Sequence, residues 1–291
     1  MIAIEGLTKR YRARTVLDGV TLDVPAGSIC GLLGRNGAGK TTTFRCALRL
    51  ARPDAGEVRF GGEPLRTATF ERLGYVPDRP SLYAWLTVQQ HLHLAARAYR
   101  TYDAARAREL LATFRLDPAA QARALSRGQE TALSLVLAFA IRPSLLLLDE
   151  PTGGLDPLLQ RATLELIIDA ASGGASVLFS SHAIGQLERA ADRVAVLRDG
   201  RIVLSGDIEA LRASEKIVEA TFDDGAFRSD TPALAGVRRW EHAGAALRAY
   251  TERDPDAVAA ELARAGARSV RVLDRNLEDL FMDAIADETA R

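Results

Sequence analysis

Apolar residues alternate at Ile2 and Ile4, and again at Val20, Leu22 and Val24, the period of strands with one buried face. Ser28 to Gly34 is a short, unbroken apolar run that ends in a glycine-rich turn, as expected of a fully buried strand. The segment after Lys40 has helical character up to Arg52-Pro53. Gly56 to Gly62 reads as a hairpin strand and Leu73 to Pro77 as another buried one. From Ser81 to about Arg142 the pattern is helical, with Leu86, Leu92, Leu94, Leu110, Leu111 and Phe114 among the apolar positions. Buried strands return at Leu145–Asp149, Ser176–Ser181 and Arg193–Leu197, and an amphipathic segment, Leu158 to Ala171, crosses between the first two. Strands alternating with helices predict an α/β fold with a parallel sheet and a helical insertion at about 81–142.

The style changes near Leu211 to Glu215. Four short strands follow at 216–222, 237–242, 245–251 and 269–274. A helix from Asp254 to Ala265 has Asp254 as its cap, Pro255 in its first turn and Gly266 at its end. A last helix starts after Asn276 and should bury Leu277, Leu280, Phe281 and Ile285. The chain thus divides into a first domain, 1–211, and a small α+β domain, 216–291. No internal repeat or low-complexity tract interrupts either.

Composition narrows the partners. Lys plus Arg and Asp plus Glu each total 38, so the formal net charge is zero and no overall field holds the chain to nucleic acid or anionic lipid. Cys30 and Cys46 sit in apolar contexts and read as buried free thiols in a reducing compartment. The first residues lack the pattern of a secretory signal. The longest mostly apolar stretch, Thr131 to Ile141, would make a helix only ~16 Å long against a bilayer core of ~30 Å.

Candidate chemistry begins at Gly34-Arg35-Asn36-Gly37-Ala38-Gly39-Lys40-Thr41, which fits G-x-x-x-x-G-K-[ST]. Glycines let backbone N–H groups turn inward around phosphate oxygens, helped by the positive end of the helix that follows. Lys40 would reach the β- and γ-phosphates of a nucleoside triphosphate and the Thr41 hydroxyl would bind Mg²⁺; Thr42 follows in the same first turn. Lysine occurs at three positions only, 9, 40 and 216, so its presence here is informative. Asp149 and Glu150 end the run LLLLDE, where a parallel strand delivers side chains to a ligand crevice. Asp149 is placed to hold the Mg²⁺ shell and Glu150 to orient and polarise the attacking water.

These features, in this order, resemble the ABC ATPase family, and two further motifs sharpen the match. LSRGQ, Leu125 to Gln129, resembles the family signature and precedes an apolar helix; GGLDP with Asp156, then SSH with His182, resemble the D-loop and the switch histidine. The resemblance spans roughly Ile2 to Leu211. It implies a P-loop NTPase fold of ABC type: a parallel-sheet core, an antiparallel β subdomain and a helical insertion. It also implies a head-to-tail dimer in which each ATP is held by the phosphate loop of one subunit and the Ser126, Gly128 and Gln129 of the other. Tyr11 matches the aromatic that stacks on adenine, and His182 the residue that contacts the γ-phosphate.

Two positions depart from the family pattern. Arg127 stands where glycine is usual in the signature, and Asp78 stands where glutamine is usual after LGYVP. An aspartate can still bind Mg²⁺, but it is shorter and charged, which puts coupling to a partner in question at this position. The segment from Ser81 to Tyr99 resembles the helical entry of bacterial exporter ATPases, and 270–285 resembles the tail of single-cassette export subunits. The implied protein is an ATP-hydrolysing homodimer beneath a membrane permease on a separate chain, peripheral to the cytoplasmic face of the membrane, with ATP and Mg²⁺ as cofactors and no nucleic acid. A soluble ABC ATPase of assembly, repair or translation is the rival, though the coiled-coil insertion, zinc cysteines or second cassette usual there are missing. The small C-terminal domain carries no ligand motif and reads as a pad extending the dimer rather than a sensor.

Overall fold

The structure, a computed structural model, describes residues 1–222, 236–243, 246–252 and 254–285. They form two compact units, Met1–Ser205 and Gly206–Arg291. In the first, β1 (Ile2–Tyr11), β2 (Arg14–Val24), β4 (Ala55–Phe60) and β5 (Glu63–Pro64) make an antiparallel sheet in the order β2-β1-β4-β5. The second sheet runs β10-β9-β3-β8-β7-β6, from β3 (Ile29–Leu33), β6 (Leu73–Val76), β7 (Leu145–Asp149), β8 (Ser176–Ser181), β9 (Arg193–Arg198) and β10 (Arg201–Asp207). Neighbours from β9 through β6 pair in parallel.

Parallel strands are covered on both faces, and the sequence complies: every residue of β3, β7 and β8 is buried. The core lies between the two sheets. Ile2, Ile4, Leu7, Val20 and Val24 meet Leu32, Leu147 and Leu178 around Phe44 of α1 (Lys40–Ala47). Each such side chain contributes about 1.5–3 kcal/mol by leaving water. Cys30 and Cys46 are both buried free thiols, and burial pushes Cys30 up to about 12. Helix α1 stops short of Arg52: Arg49 turns to φ 55°, and Leu48 and Arg49 donate back to Phe44 and Cys46, which closes the helix end.

After the one-turn α2 (Thr67–Phe70), the stretch expected to be helical resolves into α3 (Val88–Ala98), α4 (Ala104–Thr113) and α5 (Arg127–Phe139), with a 3₁₀ turn at Ala122–Ala124. Side-chain oxygens start each helix. Thr87 accepts from Gln90 N, Asp103 from Ala105 N and Arg106 N, and Ser126 from Gln129 N. Leu94, grouped with the apolar positions of this stretch, is 45% exposed, because α3 turns His91, Leu92 and Ala95 inward instead. Helix α6 (Pro157–Ser172) and α7 (Ile184–Ala190) pack on β3 and β8.

The second unit holds α8 (Ile208–Ser214), β11 (Lys216–Thr221), β12 (Val237–Ala243), β13 (Ala246–Thr251), α9 (Pro255–Arg264), β14 (Ser269–Asp274) and α10 (Leu277–Ile285). Its antiparallel sheet runs β12-β13-β11-β14, with Val258 and Leu262 of α9 packed on Val218, Ala220 and Leu247. Asp254 caps α9 as the sequence predicts, and Gly266 ends it at φ 93°. Leu277 and Leu280 are buried as expected, while Phe281 and Ile285 are half-buried. Ala245, expected in the third strand, lies outside the described residues.

Candidate nucleotide site

The turn between β3 and α1 is built for close backbone approach. Gly39, the N-cap of α1, sits at φ 116°, a conformation only glycine adopts freely, and a Cβ there would lie 2.7 Å from Leu17 Cδ2. The helix therefore starts without a side-chain cap, and its first N–H groups remain for a ligand. Lys40 is buried; its ammonium donates to the Gly34 carbonyl at 2.7 Å and lies 3.5 Å from Glu150 Oε1.

A cleft of about 580 Å³, within the range of small-ligand sites, opens over this turn. Its walls include Asn36, Gly37, Gly39, Lys40, Thr41 and Thr42 of the turn, then Asp78, Asp149, Glu150 and His182 from three other strand ends. Strand β7 carries Asp149 and β8 leads to His182, so parallel pairing alone puts them side by side. Glu150 sits at φ 52°, a left-handed conformation uncommon for a non-glycine residue. Its amide donates to Ser180 Oγ at 2.9 Å, and that hydroxyl donates to Asp149 Oδ1 at 2.7 Å. One serine therefore fixes both acids. Glu150 Oε2 lies 2.8 Å from His182 Nδ1. An ionised carboxylate can only accept, so Nδ1 carries the proton.

Asp149 is 1% exposed, and burial raises its pKa from the usual carboxylate value, opposed by hydrogen bonds from Thr41 and Ser180. Its Oδ2 is buried with no hydrogen-bond partner. A buried carboxylate oxygen left unpaired beside a hydroxyl fits a hard cation that takes oxygen ligands. No group of three or more His, Cys, Asp or Glu side chains able to hold a metal occurs among the described residues. Mg²⁺ uses one or two carboxylates and completes its shell with water and phosphate oxygens.

Other expected residues lie elsewhere. Gly34 and Ala38 are buried behind the turn and do not line the cleft. Tyr11 ends β1, 45% exposed, with the Lys9 ammonium 5.1 Å from its ring centroid. It pairs across the hairpin with Arg14, which does line the cleft together with Val16. Ser126, Gly128 and Gln129 are absent from the cleft walls: Ser126 caps α5 and Gln129 reaches back to its amide at 2.9 Å. Asp156 caps α6 through Leu158 N and Leu159 N. Arg14, Val16, Arg35, Arg79 and Gly153 also line the cleft, beyond the site residues expected from the sequence. Basic residues close to the glycine-rich turn and the strand ends were the available signal for the arginines. No helix among the described residues is long and apolar enough to cross a membrane.

The chain is similar to proteins of known family. The family model described as "ABC transporter" matches residues 17–153. The Nod factor export ATP-binding protein I of Paraburkholderia xenovorans (strain LB400) is 37% identical over 296 residues, covering 97% of this chain and 95% of that protein. The ABC transporter ATP-binding protein YtrB of Bacillus subtilis (strain 168) is 34% identical over 226 residues, 77% of each chain. Among solved structures, an ATP binding subunit of an ABC transporter superposes with TM-score 0.67 at 33% identity, covering 73% of this chain and 92% of that one. The dimeric bacterial ABC transporter cassette MJ0796 gives 0.65 at 25% identity, over 71% and 98%. With its phosphate-binding turn, acidic strand end and ABC fold, the chain belongs to the ATP-binding subunits of the ABC transporter family and is an ATP hydrolase.

Proposed function

We propose that this chain powers export through a membrane permease carried on a separate polypeptide, working as a homodimer that closes on two ATP molecules at the cytoplasmic face of the membrane. The observation that carries the reading is the convergence of Lys40, Thr41, Asp78, Asp149, Glu150 and His182 on one cleft. Likeness to proteins named for Nod factor export over 97% of the chain, C-terminal unit included, favours the export direction. Tyr83 and Trp85, 53% and 69% exposed with ring centroids 5.4 Å apart, offer an aromatic surface on the segment after Asp78 where permease helices would dock.

In this reading Lys40 leaves Glu150 and the Gly34 carbonyl for the β- and γ-phosphates, supported by the N–H groups of the Gly37–Gly39 turn. Thr41, Asp78 and Asp149 would hold Mg²⁺, which would supply positive charge against that developing on the phosphates. Glu150, freed of Lys40, accepts a proton from the attacking water, and His182 holds its carboxylate through Nδ1–H. Ser126, Gly128 and Gln129 meet the γ-phosphate of the partner's ATP from the start of α5, and Tyr11 stacks on adenine. The domain 216–291 extends the dimer contact.

The test is recovery of tagged Glu150→Gln protein from native membranes in mild detergent with ATP and Mg²⁺. A polytopic membrane protein in stoichiometric amount supports the export reading. Soluble partners alone, from membranes shown to be well extracted, would replace it with a soluble ABC ATPase.

A further inference from the structure

The two residues at which the chain departs from its family's pattern touch each other. An Arg127 guanidinium nitrogen lies 3.5 Å from Asp78 Oδ1, across 49 positions of sequence. Both line the cleft that holds Lys40, Thr41, Asp149 and Glu150. The backbone beneath Arg127 is pinned. Thr131 Oγ1 donates to the Gly153 carbonyl at 3.0 Å, and a Cβ on Gly128 would lie 2.4 Å from the Gly154 carbonyl oxygen. The helix start cannot move while it rests on Gly153–Gly154, but the long Arg127 side chain can.

Charge decides where that side chain goes. Three carboxylates, Asp78, Asp149 and Glu150, share the cleft, and Asp78 adds to the forces raising the Asp149 pKa. Lys40 faces Glu150, and Arg127 faces Asp78. The Arg127–Asp78 pair is 66% and 37% exposed, so water screens it and its strength is modest. A divalent cation at the same carboxylate attracts it more strongly than a guanidinium does.

We infer that Arg127 is a positioning residue for the metal site: it occupies Asp78 in the nucleotide-free chain and gives it up when the metal arrives with ATP. The inference rests on Asp78 belonging to the Mg²⁺ site. The pair then acts as a latch that sets the metal concentration at which the cleft becomes competent. An acid at 78 without a cation at 127 would bind metal more tightly; an arginine without the acid would have nothing to hold.

The experiment is a Mn²⁺ titration read by electron paramagnetic resonance. It uses full-length protein with a non-hydrolysable ATP analogue, at a concentration where light scattering reports a monomer, corrected for analogue alone. Arg127→Gln should tighten Mn²⁺ binding about twofold to fivefold, the range open to an exposed ion pair. Arg127→Lys should stay near the wild type, Asp78→Asn should weaken Mn²⁺ binding, and adding Arg127→Gln to Asp78→Asn should change nothing further. If Asp78→Asn weakens binding while Arg127→Gln leaves it unchanged or weakens it, the latch is overturned and the metal role of Asp78 stands. If Asp78→Asn has no effect, the metal role fails and the latch with it.

Discussion

Lys40 is a buried ammonium held between the Gly34 carbonyl and Glu150. Replacing it with alanine removes the main cation that would face the phosphates and leaves Glu150 with His182 alone as its side-chain partner. Lys40→Ala should therefore lower phosphate release by at least about 10²-fold, as loss of a charge-stabilising donor commonly does; near-normal turnover would refute the role. His182→Ala removes the Nδ1–H that fixes Glu150 and should lower turnover about 10²-fold, in the range of one positioned proton-transfer group. The affinity for ATP, measured by equilibrium binding, should fall much less. These residues were legible because each stands inside a contiguous motif: a turn of eight residues, or an acid ending an apolar run. Arg14 and Val16 were not, since only chain folding carries them to the cleft, and Arg79 was marked by nothing but its place beside Asp78 at a strand end.

At the scale of elements, tight contacts transmit packing to the site. Gly31 of β3 faces Leu187 of α7 so closely that an added Cβ would lie 1.9 Å from Leu187 Cδ2. Leu187 is fully buried, and α7 begins two residues after His182. Gly31→Ala should cost about 1–3 kcal/mol of stability by overpacking and, by displacing α7, reduce hydrolysis as well. Adding Leu187→Ala should give less destabilisation than the two single effects summed, a non-additivity that denaturant melts would read. Helix α4 allows a test in pH. Asp103 accepts from Arg106 N and Ala105 N and pairs with Arg142, and these contacts hold its carboxyl below the usual range. Its stabilisation is therefore present above the usual carboxylate pKa and disappears as pH falls through the depressed value. Asp103→Ala should lower the melting temperature at neutral pH, and the gap from wild type should narrow in acid. Asp103→Asn, which keeps a capping oxygen, should lose less. The strands were readable in the sequence because parallel strands buried on both faces are plain apolar runs. Helix ends were less so: α1 stops at Ala47 and the turn that closes it is made by a left-handed arginine, Arg49, where glycine would have been the legible sign.

For the whole molecule, the geometry of one chain leaves its own signature residues out of its own cleft. Ser126 and Gln129 are exposed and satisfy each other at the start of α5, while the cleft walls draw Arg127 alone from that motif. Leu158, 71% exposed beside the Asp156 cap, leaves an apolar side chain uncovered on the same unit. A second copy arranged head to tail would bring Ser126 and Gly128 to the γ-phosphate and complete two sites with a C2 axis between them. Binding of ATP and association are then linked: each stabilises the other by the same free energy. With Glu150→Gln, hydrolysis no longer reopens the pair. That variant should scatter light as a dimer with saturating ATP and Mg²⁺ and as a monomer without nucleotide. Ser126→Ala in the same background should raise the ATP concentration needed for dimer formation, with little change in nucleotide binding by the monomer, because in that arrangement Ser126 would meet only the partner's nucleotide. A variant that remains monomeric at saturating ATP would sink the shared-site arrangement while leaving the phosphate-binding turn intact.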